Sequence, residues 1–264
     1  VAAPELTWID DGGPLPPASQ ALGPDSDAPG LVAAGGQVTT ARLEEAYRLG
    51  IFPWYSRNQP VLWWSLDPRM MLYTAEFKLS PSLKKTLRRF VRTPGCEVRM
   101  DSAFDRVIDA CASTRRDGQD GTWIVPTVQQ AYANWHRQGR VHSVETWVDD
   151  ALVGGLYGVC IGRMFYGESM FSHRTDASKI ALAALVCFAR AHGITLIDCQ
   201  QNTSHLASLG AREIPRDDFV AHVIRASGAP DIVDWTYDPA LWCRLLPPFV
   251  QPPDPTPGAG TTRA

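Results

Sequence analysis

The feature that most constrains this chain is a set of three consecutive strand-like runs between residues 141 and 171. Residues 141–148 are β-branched and alternating, residues 152–161 carry three glycines, and residues 164–171 follow. Asp149-Asp150 and Gly162-Arg163 are the turns between them. Period-two patterning with connections this short specifies an antiparallel meander. Asp176 then stands where it can cap a long apolar helix that runs to about His192 and is ended by Gly193. Residues 194–199 read as a further strand, 205–209 as a short helix, and 217–226 as a helix preceded by one more strand.

Ahead of the meander the pattern is different. The chain through Gly36 reads as irregular. Thr40 is placed to cap a helix with Leu43, Ala46 and Tyr47 on one face, and Gly50 to end it. An aromatic, turn-rich loop follows (Ile51-Phe52-Pro53-Trp54-Tyr55), then a short apolar run, Val61-Leu62-Trp63-Trp64. Asp67-Pro68 reads as a break. Ser80-Pro81 is a helix start, with Leu83, Leu87 and Phe90 along one face. Two more amphipathic helices carry Phe104, Val107, Ile108 and Cys111, and Val128, Ala131, Tyr132 and Trp135. The expected architecture is α+β. A small N-terminal domain (1–68) precedes a larger domain (69–246), and a Pro-rich tail (247–264) is expected to be disordered. The order meander, helix, strand, helix, strand resembles the acetyltransferase-like (GNAT) fold: a central, mostly antiparallel sheet flanked by helices.

Composition narrows the function classes. The net charge is -3, so binding to nucleic acid has to rest on a local patch. The six cysteines form no C-x-x-C pair and no His stands at finger-like spacing from them, which argues against zinc or any metal. Buried thiols in a reducing compartment are the plain reading. With no basic-plus-apolar leader and no run long enough to span a bilayer, the expectation is a soluble, cytoplasmic protein, monomeric by default.

Four constellations carry chemistry. Gly167-Glu168-Ser169-Met170-Phe171-Ser172 puts a carboxylate in an apolar strand, which needs a partner or a task unless it faces solvent on an edge. Leu196-Ile197-Asp198-Cys199-Gln200 ends a buried-looking strand in Asp198 and Gln200, which alternation projects to one side; the bland alternative is a strand end turning into a loop. From Lys78 to Arg92 there are six cations and no acid, with Lys84, Lys85, Arg88 and Arg89 off the apolar face. Such a helix meets phosphates, or is a solvated surface. Aromatics gather at Tyr47, Phe52, Trp54, Tyr55, Trp63 and Trp64, with Trp123 and Tyr132 later, as platforms for a base or as core. The turn 172–179 lacks the Gly-rich anion nest of an acetyl-CoA enzyme, and no nucleophile elbow is present.

Taken together, these stretches and others resemble the bacterial leucyl/phenylalanyl-tRNA–protein transferase family. The resemblance rests on Gly30-Leu31-Val32-Ala33-Ala34-Gly35-Gly36, Ala46-Tyr47-Arg48-Leu49-Gly50-Ile51-Phe52-Pro53-Trp54, Trp63-Trp64-Ser65-Leu66-Asp67-Pro68-Arg69 and Gly121-Thr122-Trp123-Ile124. It continues through His142-Ser143-Val144-Glu145, Leu152-Val153-Gly154-Gly155-Leu156-Tyr157-Gly158, the run from Gly167 to Ser172, Ala177-Ser178-Lys179, Ile197-Asp198-Cys199-Gln200 and His205-Leu206-Ala207-Ser208-Leu209-Gly210-Ala211. The pieces are in order and span roughly residues 15–225. Leu66 stands where the pattern has Pro, Gln37 where it has an acid, and Leu156 where a Met occurs.

The resemblance implies transfer of Leu or Phe, less well Met, from aminoacyl-tRNA to proteins beginning with Arg or Lys, giving a degradation signal, with no cofactor. It implies Asp198 and Gln200 at the chemistry. Glu168 either meets the attacking amine or pairs with the acceptor's basic side chain. An apolar aminoacyl pocket is carried onto Leu156, Phe165, Leu182, Leu185 and Ile197. Tyr47, Trp54, Trp123 and Tyr132 are expected around the terminal adenosine and ester, and Lys84, Lys85, Arg88 and Arg89 on the acceptor-stem phosphates. The rivals are an acyl-CoA-dependent N-acetyltransferase, a non-catalytic RNA-binding adaptor and a peptide-bridge aminoacyltransferase.

Overall fold

The computed structural model describes residues 6–114 and 122–246. Gly121 and the Pro-rich tail from Pro247 lie outside the described residues. Ser80 and Pro81 start their helix as the sequence predicts: the Ser80 hydroxyl accepts from Leu83 N at 3.1 Å. The first helix, α1 (Thr40–Arg48), is capped by Thr39 rather than Thr40, because Thr39 has the extended backbone a cap needs and accepts from Arg42 N at 3.2 Å.

The segment through Gly36 is irregular between residues 10 and 30 apart from one short turn of helix, but it carries a strand on either side of that stretch. Strands β1 (Thr7–Ile9), β2 (Leu31–Gly35), β3 (Phe52–Pro53) and β4 (Leu62–Trp64) form a four-stranded sheet in the order β1-β2-β4-β3. β2 escaped detection because Leu31, Val32, Ala33 and Ala34 are all buried, so no alternation marks it. Gly35 is needed there: it has φ +95, and a Cβ would stand 2.5 Å from Ile9 O of the neighbouring strand.

The second sheet has seven strands: β5 (Arg69–Tyr73), β6 (Cys96–Met100), β7 (Val141–Val148), β8 (Ala151–Ile161), β9 (Met164–Ser172), β10 (Leu196–Gln200) and β11 (Arg212–Ile214). Their order is β11-β5-β10-β9-β8-β7-β6, and every neighbouring pair is antiparallel except β9 with β10. β7, β8 and β9 are the expected meander. Its alternation sorts side chains into two cores. Tyr157, Val159 and Ile161 point to one face, with α1, α3 (Phe104–Ser113), α4 (Pro126–Arg137) and the helix Arg216–Ser227. Leu156 and Cys160 point to the other, with α2 (Pro81–Arg92) and α5 (Ala177–Ala191). The first core also takes in Val32 and Trp63, so the small sheet docks onto it. Asp176 does not cap α5 through its side chain. Its backbone is left-handed (φ 64), and its carboxylate instead accepts from Lys179 Nζ at 2.9 Å and Thr86 Oγ1 at 3.2 Å.

His142-Ser143-Val144-Glu145 serves this scaffold. Buried Glu145 accepts from Ser102 Oγ, from Ala103 N and Ser143 Oγ at 2.8 Å, and from Trp147 Nε1 at 2.9 Å, stitching the start of α3 to β7. Gly158 sits at a bulge where a Cβ would run into Tyr166 O and the Phe165 ring. Gly158→Ala is therefore expected to lower stability by ~2 kcal/mol or more; an unchanged urea midpoint would contradict that packing. Among the described residues no helix is long and apolar enough to cross a membrane.

One irregularity makes room for a site. β9 and β10 are paired only at Phe165 with Ile197 and Tyr166 with Asp198. Past these positions the parallel strands part, and the second half of β9 faces an opening.

Candidate active site

The opening is a cavity of about 530 Å³ between the parted strands, walled by Leu156, Met170, Leu182, Leu185, Ile197 and Leu206, with Phe52, Pro53, Trp54 and Trp123 at another side. Glu168, Cys199, Gln200 and His205 also line it. The walls are apolar and the polar groups few, as in sites that hold an apolar side chain and orient a reactive group.

Glu168 is the centre of the polar groups. Tyr47 donates its hydroxyl to Oε1 at 2.6 Å, and Tyr132 donates to Oε2 at 3.4 Å. The two hydroxyls are 2.6 Å apart. Gln200 Nε2 lies 3.4 Å from Oε1. Burial pushes the Glu168 carboxyl up to about 8, against the Tyr47 hydrogen bond, which lowers it. Asp198 raises it further, while Arg69 and Tyr132 lower it. Burial and the Glu168 charge push both tyrosines well above their usual range, so their hydroxyls stay protonated and remain donors. Burial also raises the Cys199 thiol, which leaves it no thiolate character. Burial, then Lys179, lowers His205, so its imidazole is neutral.

Asp198 lies beneath. Its side chain is fully buried and takes a two-pronged ion pair from Arg69, Nε to Oδ1 at 2.8 Å and Nη2 to Oδ2 at 2.6 Å. Oδ1 also accepts from Gln200 N at 2.9 Å. The register of β10 against β5 shifts between Asp198 and Gln200, and Gln200 is left-handed at φ 53. Among the described residues no group of three or more His, Cys, Asp or Glu is placed to hold a metal.

Comparison with known proteins assigns this architecture. Residues 71–224 match the leucyl/phenylalanyl-tRNA protein transferase family, and residues 36–67 match its N-terminal domain. A leucyl/phenylalanyl-tRNA–protein transferase of Leptothrix cholodnii is 65% identical over 91% of this chain and 95% of its own length. One from Methylibium petroleiphilum is 63% identical over 90% and 91%, and one from Cupriavidus metallidurans 59% identical over 88% and 94%. The chain belongs to the leucyl/phenylalanyl-tRNA–protein transferase family. It is therefore an aminoacyltransferase.

The residues expected from the sequence fall into three groups in this transferase. Glu168, Asp198, Gln200, Leu156, Leu182, Leu185, Ile197, Trp54 and Trp123 line the cavity, Asp198 with its side chain turned to Arg69. Phe165, Tyr47 and Tyr132 do not offer surfaces to a ligand, contrary to expectation. Phe165 is fully buried, with its ring against Trp235 (ring centroids 6.2 Å apart) and over Gly158. The two tyrosine rings are fully buried as well, so they cannot stack on an adenosine; they deliver hydroxyls to Glu168. Lys84, Lys85, Arg88 and Arg89 lie on α2 away from its buried Leu83, Leu87 and Phe90, do not line the cavity, and make no ion pair among the described residues. Arg69 and Met170 were missed. Met170 was in view in the Glu168 run, two residues along the same strand, whereas nothing local marks Arg69 as buried.

Proposed function

We propose that the cavity joins the amino acid of leucyl- or phenylalanyl-tRNA to the α-amine of a protein that begins with Arg or Lys, on a GNAT-like framework in the cytoplasm. The observation that carries this reading is a carboxyl of raised pKa, held by two buried tyrosine hydroxyls, opening onto an apolar cavity beside Gln200. The leucyl or phenylalanyl side chain occupies the space between Leu156, Met170, Leu182, Leu185 and Ile197. Trp54 and Trp123, both half-buried at the cavity, flank the adenosine and ester. A pocket of this kind separates Leu from Ala well and close homologues weakly, since one methylene is worth ~1–3 kcal/mol.

The ester is already activated, so no covalent enzyme intermediate is needed. The amine nitrogen attacks the ester carbonyl, the C–O3′ bond breaks, and the amine's proton ends on the 3′ oxygen. Gln200 accepts a hydrogen bond from the amine and orients it; a carboxamide is too weak a base to take the proton. Glu168 takes it. A carboxyl near 8 is matched to an α-amine whose ordinary value is also about 8. That match favours Glu168 at the amine over Glu168 as partner of the acceptor's basic side chain. The product, a protein beginning with Leu or Phe, serves as a degradation signal.

The test is transfer of labelled Leu from charged tRNA to a peptide starting with Arg, with an N-acetylated copy as control. Transfer to the free peptide alone is expected; no transfer by folded protein that still binds the tRNA would overturn the reading. The cations of α2 take the acceptor-stem phosphates. Doubly substituted Lys85→Ala/Arg89→Ala protein is therefore expected to show a log Kd against log salt slope for charged tRNA that is shallower by about 1–2. An unchanged slope would place the tRNA elsewhere.

A further inference from the structure

Arg69 lies outside the cavity, yet its surroundings are built to hold it still. Its side chain is 1% exposed. The guanidinium carbon lies 4.6 Å from the Phe52 ring centroid and 4.5 Å from that of Phe219. Two of its nitrogens are spent on the two oxygens of Asp198. A planar fork makes this pairing, and a single ammonium does not. Asp198 passes the constraint on: Oδ1 also accepts from the backbone N–H of Gln200. Gln200 occupies a left-handed conformation that a side chain with a Cβ holds only when its surroundings impose it. From that turn its carboxamide reaches Glu168.

We propose that Arg69 is a positioning residue for the transfer reaction: through the Asp198 carboxylate it holds the backbone turn at Gln200 and so sets where the Gln200 carboxamide stands against the amine and Glu168. The proposal rests on the transferase reading given above. In it Asp198 works as an anchor and exchanges no proton. The clamp also reaches the other side of the cavity, because Phe52 is continuous with Pro53 and Trp54, which line it.

The experiment compares the full chain with Arg69→Lys, Arg69→Met and the double variant Arg69→Met/Asp198→Asn. It reads kcat and KM for leucyl-tRNA and for an Arg-initiated peptide, and amide hydrogen exchange at Gln200. Arg69→Met is expected to lower kcat about 100-fold with both KM values within about threefold, with kcat counted per folded molecule by circular dichroism, because a loss of folded protein alone lowers apparent kcat at constant KM. Gln200 exchange should quicken at least ~10-fold while the ladder amides of β10 stay protected. Arg69→Lys keeps the charge without the fork and should fall about 10-fold in kcat, which carries the test should Arg69→Met not fold. The double variant removes both buried charges and restores stability, but its kcat should stay low because an amide at position 198 has nothing to anchor it. Either kcat within threefold of the parent in Arg69→Met or the double variant, or a loss of kcat with Gln200 exchange unchanged, overturns the proposal. A parent protein that transfers nothing defeats the transferase reading instead, and Gln200 exchange then decides the anchoring claim alone.

Discussion

Glu168→Gln is expected to slow transfer by about 10²- to 10⁴-fold, the range of a positioned proton acceptor, and to change the shape of the pH profile. In the parent protein two groups must lose protons before reaction, the α-amine and Glu168, both near 8. Below that, log kcat/KM for the peptide should rise with pH at a slope approaching 2. Without the carboxyl only the amine titrates, and the slope should fall to 1. A parent slope of 1, or a Gln variant that keeps slope 2, would remove Glu168 from the proton path.

The tyrosines give the same idea an independent handle. The Tyr47 hydrogen bond lowers the Glu168 pKa, so Tyr47→Phe should move the acid limb to higher pH without abolishing it. Stability follows the opposite sign from an ordinary carboxylate. The folded value of Glu168 lies above the ordinary carboxyl value of 4.5, so the protonated form is the one the fold prefers. Its contribution is complete below about 4.5 and is lost as pH rises to about 8. Glu168→Gln, neutral at every pH, should flatten stability across that window. High activity and high stability are therefore set against each other at this one side chain, as at many working sites.

How much of this was legible in the sequence depended on how many faces each element buries. The meander was legible because its strands are joined by two-residue turns and β7, β8 and β9 follow one another directly. α3 and α4 were legible because each buries a single stripe. β2 and β5 were not: Leu31 to Ala34 and Arg69 to Leu72 are buried throughout, and a strand buried on both faces carries no period. The site divided along the same line. Glu168 and Gln200 stand out as polar groups in apolar strands. Tyr47 and Tyr132 were grouped with Trp54 and Trp123 as platforms because composition does not tell a buried aromatic from an exposed one, and here the tyrosines' hydroxyls, rather than their rings, reach the site. Alternation places Asp198 and Gln200 on one side of the strand but could not show the slipped register between them, which comes from tertiary pairing with β5.

Asp198→Ala is the substitution expected to cost the fold most. Burying two charges is worthwhile only when each satisfies the other, and removing one partner typically costs ~3–5 kcal/mol because the other is left uncompensated. Here the survivor is a guanidinium between two phenyl rings, with Nη1 lacking a hydrogen-bond partner among the described residues even in the intact pair. The melting temperature should fall by about 10 °C at the usual conversion for a chain of this size. Asp198→Asn should fall less, since its oxygen can still accept one bond from Arg69, and yet it should lose transfer nearly as completely, because one prong does not fix the carboxamide against rotation. The two roles of Asp198 thus separate in measurement: calorimetry ranks Ala well below Asn, and single-turnover transfer ranks them together. If transfer instead followed stability, with Asn close to the parent in both, Asp198 would be a structural charge alone and the geometry of Gln200 would have to be set by the bulge in β10 without its help.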